Sequence, residues 1–164
     1  IDLPLQHASD PVLKRMKRPG TRASYERLLG KIRDRIPGVS LRTTFIAGFP
    51  GETEDDHHAS VTLLHALPFT YLHVFPFSVR PDAAAARLSG QLSPEAIRER
   101  ARELRELGAT KSCAYRAYRG GQTADGVVTG RLKGQIEVMT QDYLSVYLDS
   151  GEWDGRPRFE VTVN

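Results

Sequence analysis

Apolar residues in the first part of the chain fall into short extended runs, separated by stretches with helical spacing. Leu3–Gln6 is typical of the end of a buried strand, and the polar turn Ser9-Asp10-Pro11 leads into a short basic helix. Residues 24–36 place apolar side chains at helical spacing, and Pro37-Gly38 ends that helix. The pattern therefore predicts a strand, a loop and a helix in that order.

The same order of elements returns further along the chain. Residues 39–47 are rich in β-branched and aromatic side chains and run into Gly48-Phe49-Pro50-Gly51. Thr53 with Asp56 predicts the start of a capped helix, and residues 71–77 predict a third strand. Strands that alternate with helices favour parallel β/α units, whose functional loops lie at the C-terminal ends of the strands.

The second half begins with a long helix and continues with short strands. Ser93-Pro94-Glu95 supplies a cap, a proline at the first helical position and an early acid. Ala101 and Leu104 mark the buried side of this helix, whereas its arginines, Arg100 among them, alternate with glutamates and are predicted to lie on solvated faces. After residue 120 the pattern predicts a small antiparallel β domain in the form of a barrel. Its strands are predicted at 123–128, 135–140, 143–148 and 159–163, with turns near Gly130, Gln141-Asp142, Gly151 and Gly155.

Composition narrows the class of protein. With 164 residues, of which 40% are hydrophobic and 26% charged, the chain has an ordinary globular composition. It has no run close to the roughly 20 apolar residues of a membrane span and no signal segment, so we expect no membrane partner and a cytoplasmic location. Cys113 is the only cysteine, which excludes a disulfide framework and a complete ligand set for zinc or an iron–sulfur cluster. Because the sequence opens at Ile1 inside an apolar run, we interpret it as an excised fragment.

Positive charge is concentrated near the start of the chain. Residues 11–36 hold nine Lys or Arg residues against Glu26 and Asp34, although the whole chain has a net charge of only +3. Such a region is either a phosphate-facing surface or a solvated helical face, and the charge pattern leaves both interpretations open.

Three segments of the sequence resemble a known family. They are Leu3-Pro4-Leu5-Gln6-x-x-Ser9-Asp10-x-x-Leu13-Lys14-x-Met16-x-Arg18, Phe45-Ile46-Ala47-Gly48-Phe49-Pro50-Gly51-Glu52-Thr53 and His73-Val74-Phe75-Pro76-Phe77-Ser78-x-Arg80-Pro81. In this order they resemble the second half of the radical S-adenosylmethionine barrel of methylthiotransferases. The tail, with Gly121-Gln122-Thr123 and Thr140-Gln141-Asp142-Tyr143-Leu144, resembles the TRAM domain that follows this barrel. The resemblance implies an α/β fold, with half of a (β/α)6 partial barrel and a long linking helix in residues 1–119, followed by a small antiparallel β-barrel domain that binds RNA in residues 120–164.

The resemblance also implies a function for the parent protein. That protein would be a tRNA methylthiotransferase, which adds a methylthio group at C2 of a modified adenosine next to the anticodon. Its cofactors would be S-adenosylmethionine and two [4Fe–4S] clusters whose cysteines precede Ile1. The fragment alone is therefore expected to be inactive, and it contains no assigned catalytic residue or metal ligand. The segments His73-Val74-Phe75-Pro76 and Tyr143-Leu144 look most like the branch that acts on threonylcarbamoyl-adenosine, while the isopentenyl-adenosine and ribosomal-protein branches stay open.

The family implies that this chain supplies half of a cofactor pocket. Ile46 and Phe49 would be apolar walls against the adenine, in a loop whose glycines let the backbone approach a ligand. Glu52 would be either a polar contact or an acid that favours the start of the next helix. The implied cofactor-binding residues are Gln6, Ser9, Asp10, Arg18, Ile46, Gly48, Phe49, Pro50 and Glu52.

The residues after the first strand have alternative roles. Gln6, Ser9 and Asp10 would hydrogen-bond the ribose and the amino-acid part of the cofactor, or Ser9 and Asp10 would instead cap a helix. Arg18 would pair with the carboxylate of the cofactor, or it would be a simple surface charge. The dipeptide His7-Ala8 departs from the Ser-Gly that the family usually has at this place.

Other polar residues in the α/β half have less specific interpretations. His57-His58 is interpreted as structural, because adjacent helical residues point in different directions and no zinc motif surrounds them. His73 would either face the barrel interior or pack as an ordinary buried histidine. Ser78 and Arg80 are candidates for a loop that faces the substrate.

The predicted partner of the tail is tRNA. Cations and aromatic rings are the two components that hold flexible RNA, by phosphate pairing and by stacking. Two rival hypotheses are a stand-alone RNA-binding module without catalysis and a protein-interaction domain whose binding is insensitive to salt. The strand Leu3–Gln6 is predicted to be an unpaired barrel edge, which favours self-association. The candidate RNA-binding residues are Arg119, Arg131, Lys133 and Tyr143.

Overall fold

A computed structural model describes the backbone of residues 1–164 and all side chains except those of Leu132 and Glu152. The chain divides into two compact units, which we call the α/β unit (residues 1–112) and the β unit (residues 113–164). The predicted domain limits, 1–119 and 120–164, stay a prediction about which parts fold by themselves. The strands of the α/β unit are β1 (Asp2–Gln6), β2 (Arg42–Ala47) and β3 (Tyr71–Pro76). The helices are α1 (Asp10–Arg15), α2 (Arg22–Arg35), α3 (Glu54–Ala66) and α4 (Pro94–Arg119), with a short 3-10 turn at Ala84–Arg87.

The α/β unit is built on a parallel sheet with strand order β1-β2-β3. Alternate residues of β2 are buried, and Phe45 packs in one core with residues of the helices. That core includes Leu29 of α2, Leu63 of α3 and Leu104 of α4, all of which are fully enclosed. The predicted succession of parallel strands and helices is therefore confirmed. That these strands form half of a (β/α)6 barrel stays a proposal.

Two predicted helix starts are present in the structure. Thr53 and Asp56 form a capping box at the start of α3, in which each side chain accepts a hydrogen bond from the other residue's backbone N–H. At the start of α4, the Ser93 hydroxyl accepts a hydrogen bond from the N–H of Ala96 at 3.2 Å. Both caps use partners three residues apart, which is why the sequence alone could identify them.

The prediction that Arg100 lies on a solvated face of α4 is wrong. The residue is only 8% exposed, and its guanidinium donates hydrogen bonds to Glu52 and Glu54. The helical pattern did not indicate this burial, because both partners lie in another segment of the chain.

The β unit is a curled antiparallel sheet with strand order β6-β5-β4-β7. The predicted small antiparallel β domain is confirmed as a curled four-stranded sheet with β6 and β7 at its two edges, whereas a complete barrel stays a proposal. Ile136, Val138 and Val146 are fully buried in its core, together with Val161 and Val163. The strands are β4 (Thr123–Leu132), β5 (Gln135–Thr140), β6 (Ser145–Asp149) and β7 (Arg158–Thr162), with a 3-10 turn at Ser150–Glu152.

The predicted turn near Gly130 is also wrong. Strand β4 continues through Gly130, where a bulge shifts the register against β5. The chain turns instead at Lys133 and Gly134, which both have positive φ angles (46° and 85°). Two successive residues in this conformation match the twist of a tight β-hairpin.

The edge strand β1 agrees with the predicted position of an unpaired edge, because its only neighbour in the described sheet is β2. Self-association through Leu3–Gln6 stays a prediction. Within the described residues, none of the helices combines the length and the apolar character that a membrane span requires.

Candidate functional site

A cavity of about 500 Å³ lies where the three parallel strands end. Its apolar walls are the side chains of Ile46 in β2, Phe75 in β3, and Phe49 and Phe77 in the loops that follow these two strands. Polar groups of Gln6, Ser78 and Arg80 also line it. An apolar cavity with a few convergent polar groups is the usual form of a small-molecule site.

The walls of the cavity suit a flat ring. The rings of Phe49 and Phe77 meet edge to face, with their centroids 5.4 Å apart. Phe49 is almost fully buried, whereas Phe75 is 55% exposed, so the cavity opens to solvent beside β3. A planar heterocycle could therefore enter past Phe75 and pack against Phe49.

The loop that carries Phe49 is held by a buried carboxylate. One oxygen of Glu52 accepts hydrogen bonds from the backbone N–H groups of Gly48 (2.6 Å) and Phe49 (3.0 Å). The other oxygen accepts one from Arg100 at 3.1 Å. The side chain of Glu52 is enclosed, its carboxylate bonds to the loop backbone and to Arg100, and it does not line the cavity. A polar contact between Glu52 and the cofactor stays a prediction.

Two histidines complete the surroundings of Glu52. His57 lies 3.5 Å from the Glu52 carboxylate and 2.8 Å from Glu103, and His7 lies 3.7 Å from Glu52. Burial alone would raise the pKa of Glu52, but hydrogen bonds from His57 and His7, together with electrostatic attraction from His7 and Arg100, lower it to about 2. Burial likewise opposes the charged form of His57, but the hydrogen bonds to Glu52 and Glu103 raise its pKa. His57 therefore belongs to an internal ion network, in line with its structural interpretation.

Gly48 and Gly51 are required by the backbone of this loop. Both have positive φ angles, 79° and 84°, which disfavour residues with a side chain. A Cβ at Gly48 would lie 2.6 Å from Ile97, and a Cβ at Gly51 would lie 2.6 Å from the guanidinium of Arg15. These glycines therefore serve the turn itself and allow a close approach of the backbone to other side chains of the unit.

The structure brings only some of the implied cofactor residues to the cavity. Gln6, Ile46 and Phe49 line it, while Gly48, Pro50 and Glu52 form the loop behind its wall. The other three implied residues lie elsewhere and are described next.

Ser9, Asp10 and Arg18 do not line the cavity. The Ser9 hydroxyl donates to the carboxylate of Asp56, and Asp10 accepts a hydrogen bond from the N–H of Arg22 at 2.8 Å. Arg18 borders a separate groove of about 200 Å³ beside β1. Ser9 precedes α1 without making a side-chain capping bond, and the contacts of Ser9 and Asp10 join separate segments of the chain. A role of these three residues in cofactor binding stays a prediction.

Two of the cavity's aromatic walls, Phe75 and Phe77, were not among the predicted cofactor-binding residues. Phe75 and Phe77 alternate along the end of β3, so a period of two in the third segment could have found them. His73 precedes them but does not line the cavity. Its Nε2 is 2.9 Å from the guanidinium of Arg42, and its ring lies against that of Tyr71, as expected of a packed histidine.

In the β unit the candidate RNA-binding residues lie in separate places. Arg119 forms an ion pair with Asp142 at 3.0 Å. Arg131 stacks on Trp153 at 4.2 Å, near Lys133 in the β4–β5 turn. Tyr143 is 60% exposed and lies in the turn at the other end of β5, where it lines a groove of about 380 Å³. Trp153 was missed, because a single tryptophan outside a strand gives no periodic signal.

The charge of the β unit differs from that of the rest of the chain. Residues 113–164 contain six Lys or Arg residues and seven Asp or Glu residues, whereas residues 1–112 contain seventeen and thirteen. The β unit is therefore slightly acidic, and the net positive charge belongs to the α/β unit.

Comparison with known proteins identifies relatives across nearly the whole chain, although no family model matches it. The chain is 35% identical over 159 residues to the ribosomal protein uS12 methylthiotransferase RimO of Lachnoclostridium phytofermentans, which covers 94% of this chain and 34% of that protein. Thus the chain belongs to the methylthiotransferase family. It spans about a third of the length of the relatives it matches.

Methylthiotransferases named for a ribosomal protein and for tRNA match the chain about equally well. RimO of Pelotomaculum thermopropionicum is 40% identical over 141 residues, which cover 82% of this chain and 31% of that protein. The tRNA-2-methylthio-N(6)-dimethylallyladenosine synthase of Chloroflexus aurantiacus is 39% identical over 139 residues, which cover 82% of this chain and 30% of that protein. Similarity alone therefore does not assign this methylthiotransferase chain to either kind of target.

The cofactors that the family resemblance implies fit this chain to different degrees. The aromatic and aliphatic walls around Phe49 fit a planar adenine such as that of S-adenosylmethionine, and Gln6 and Arg80 offer polar groups to the rest of the molecule. A [4Fe–4S] cluster is usually held by several thiolates. The chain has only Cys113, which is exposed on α4, so its residues do not fit such a cluster.

Proposed function

We propose that this chain is the C-terminal part of a methylthiotransferase, in which the α/β unit supplies the nucleoside side of the S-adenosylmethionine site and the β unit contacts the macromolecular substrate. The observation that carries the proposal is the aromatic-walled cavity at the strand ends of a chain whose relatives are methylthiotransferases over 94% of its length. The cysteine ligands of the clusters would come from outside these 164 residues, and we propose a cytoplasmic location for the parent protein.

The residues of the chain act by binding and orientation. Bound S-adenosylmethionine would supply the methyl group and, with the clusters, the radical. Phe49, Phe77 and Ile46 would hold the adenine and exclude water from its faces, since apolar walls gain free energy by burying a flat apolar ring. Gln6 and Arg80 would hydrogen-bond the polar part of the cofactor. No residue of this chain is assigned a catalytic step.

Cofactor binding can be measured without turnover. S-adenosylhomocysteine, titrated into the chain, should perturb the amide resonances of Gly48 and Phe49, and Phe49→Ala should weaken binding about tenfold, because a buried aromatic wall is lost. Tyr147→Ala, which changes an exposed ring in the β unit, is the control. Binding that survives Phe49→Ala unchanged would remove this cavity from the cofactor site.

Catalysis by the chain alone should fail. After anaerobic reconstitution with iron and sulfide, we expect no formation of 5′-deoxyadenosine above background, because one thiolate is too few for a cluster. If turnover appears and Cys113→Ser abolishes it, the ligands do not lie outside the chain.

The charge of the β unit favours a basic protein as the substrate. Arg119, Arg156 and Arg158 are already paired with acidic residues of the same unit, while Glu160 is exposed and Glu137 is half-buried, with its carboxylate accepting a hydrogen bond from the Ser145 hydroxyl at 2.8 Å. A surface that is slightly negative attracts a basic polypeptide more readily than a polyanion. We therefore propose a ribosomal protein of the uS12 type, the target that the RimO relatives are named for.

A tRNA with a modified adenosine next to the anticodon is the second candidate, and the threonylcarbamoyl-adenosine branch belongs to it. It is favoured by Arg131 and Lys133 beside Trp153 and by the exposed ring of Tyr143, which together offer phosphate pairing and stacking. The relative from Chloroflexus aurantiacus supports it as well.

Two double variants decide between these substrates. Binding of the chain to uS12 and to tRNA should be measured over a salt series. If the protein is the target, Glu137→Gln with Glu160→Gln weakens binding to uS12, and Arg131→Ala with Lys133→Ala does not. If tRNA is the target, the arginine and lysine variant flattens the slope of log affinity against log salt by up to about two units. Binding to neither would remove the β unit from substrate recognition.

A further inference from the structure

Helix α4 carries one arginine that is buried against the loop of the cavity. The guanidinium of Arg100 donates to the backbone oxygen of Glu52 at 3.0 Å, to its carboxylate at 3.1 Å and to the carboxylate of Glu54 at 2.7 Å. Burying a charged pair is costly unless hydrogen bonds satisfy both partners. The three bonds meet that requirement, so the position of Arg100 is tightly specified.

The contacts of Arg100 continue to the wall of the cavity. The Glu52 oxygen that does not face Arg100 accepts the N–H groups of Gly48 and Phe49. A short series of hydrogen bonds therefore connects α4 to the backbone that sets the direction of the Phe49 ring. Each bond involves a charged group, and such bonds are stronger and shorter than neutral ones.

The same loop is held from its other side by α1. Arg15 donates to the backbone oxygens of Pro50 (3.0 Å) and Ser89 (2.8 Å), and the N–H of Gly51 donates to Gly90 at 2.7 Å. With α1 fixing the far end, the near end at Gly48 and Phe49 depends on Glu52 and its partner. Loss of Arg100 would leave Glu52 buried with its carboxylate less well oriented.

We propose that Arg100 is a positioning residue for the loop Gly48–Gly51, acting through Glu52 to orient the Phe49 wall of the cavity. Only the identity of the ligand in that cavity rests on the function proposed above. A competing role is simple anchoring of α4 to the start of α3 through Glu54, whose side chain is largely exposed. The two roles differ in whether the amides of Gly48 and Phe49 respond.

The test compares Arg100→Met with two controls in the same chain. Arg102→Met removes an exposed arginine that is paired with Glu106 one turn along α4, and Glu54→Gln weakens only the anchoring contact. In Arg100→Met we expect the amide protons of Gly48 and Phe49 to move upfield and to exchange faster. S-adenosylhomocysteine should bind about tenfold more weakly, since a displaced wall no longer matches the ligand. Both controls should leave the resonances and the affinity unchanged.

Arg100→Lys should recover part of the wild-type affinity and part of the wild-type amide shifts, because the ammonium can reach one Glu52 oxygen but cannot form the same fork. If Arg100→Met does not fold, the lysine variant is compared with wild type by the same resonances. Unchanged Gly48 and Phe49 amides in the folded variants would overturn the positioning role, as would an equal response to Glu54→Gln. If the amides respond but wild-type chain does not bind S-adenosylhomocysteine, the positioning role stands and the proposed cofactor site is wrong.

Discussion

A buried charged pair of the α/β unit and an exposed charged pair of the β unit use the same kinds of residue in opposite ways. In the α/β unit, Glu52 and Arg100 are buried and make hydrogen bonds that fix one loop. In the β unit, Arg158 pairs with Asp125 at the surface, where the arginine side chain is 71% exposed. Buried pairs are strongly specified because an unpaired partner would be costly, whereas exposed pairs compete with water. Charge therefore holds a loop from inside the α/β unit, whereas this pair of the β unit is exposed to solvent.

The largest effect should follow removal of the buried carboxylate. Glu52→Ala leaves Arg100 enclosed without its buried carboxylate partner and the loop amides without an acceptor, although Glu54 still pairs with Arg100. We therefore expect the α/β unit to lose about 3–5 kcal/mol of stability. Urea unfolding should be followed by helical circular dichroism and by fluorescence of Trp153, the only tryptophan, which lies in the β unit. Glu99→Ala, an exposed change on α4, is the control.

The two optical signals also test the predicted domains. If the units unfold separately, Glu52→Ala lowers the circular dichroism midpoint and leaves the Trp153 transition in place. Equal shifts of both transitions would show that the chain unfolds as one cooperative body.

The second effect concerns pH and should be confined to the α/β unit. The folded pKa of Glu52 is about 2, below its ordinary 4.5. Its contribution to the stability of the α/β unit is therefore complete above pH 4.5 and is lost as pH falls towards 2. That shift corresponds to about 3 kcal/mol. The pKa of His57 is raised, so its contribution is present below its ordinary 6.5 and is lost as pH rises through the folded value.

The α/β unit should therefore be most stable between pH 4.5 and 6.5. Glu52→Gln removes the carboxylate titration and should flatten the acid side of the profile measured by circular dichroism. A profile of the variant that keeps the wild-type slope below pH 4.5 would show that another group is responsible.

The third effect is a packing change in the β unit. A Cβ at Gly126 would lie 2.4 Å from a methyl carbon of Val138 and 3.2 Å from one of Val161. Gly126→Ala should therefore cost about 1–3 kcal/mol, the usual cost of overpacking a core, seen in the Trp153 transition. Gly30→Ala is a matched control, because the new methyl group in the middle of α2 meets nothing within 4 Å apart from its chain neighbours and the helix's own backbone. An unchanged Trp153 midpoint for Gly126→Ala would mean that the strands move apart easily.

Features that depend on nearby residues could be predicted from the sequence, and those that depend on distant ones could not. The capping pair Thr53 and Asp56 is three residues apart, and the glycines at 48 and 51 mark a loop by themselves. By contrast, Arg100 and Glu52 are 48 positions apart, and a helix with alternating charges does not show which arginine finds a buried partner. Ser9 illustrates the same limit, since its partner Asp56 lies 47 positions away in α3.

The smallest effect should come from the surface pair of the β unit. Arg158 donates two bonds to Asp125, at 2.9 and 2.6 Å, across the strands β4 and β7. The geometry is favourable, but both groups are in contact with solvent, where water and salt replace most of the attraction. Arg158→Gln should therefore leave the Trp153 unfolding midpoint unchanged within error, at low and at high salt. A decrease as large as that of Gly126→Ala would show that surface pairs also support this fold, and the contrast between the buried and the exposed pair would then fail.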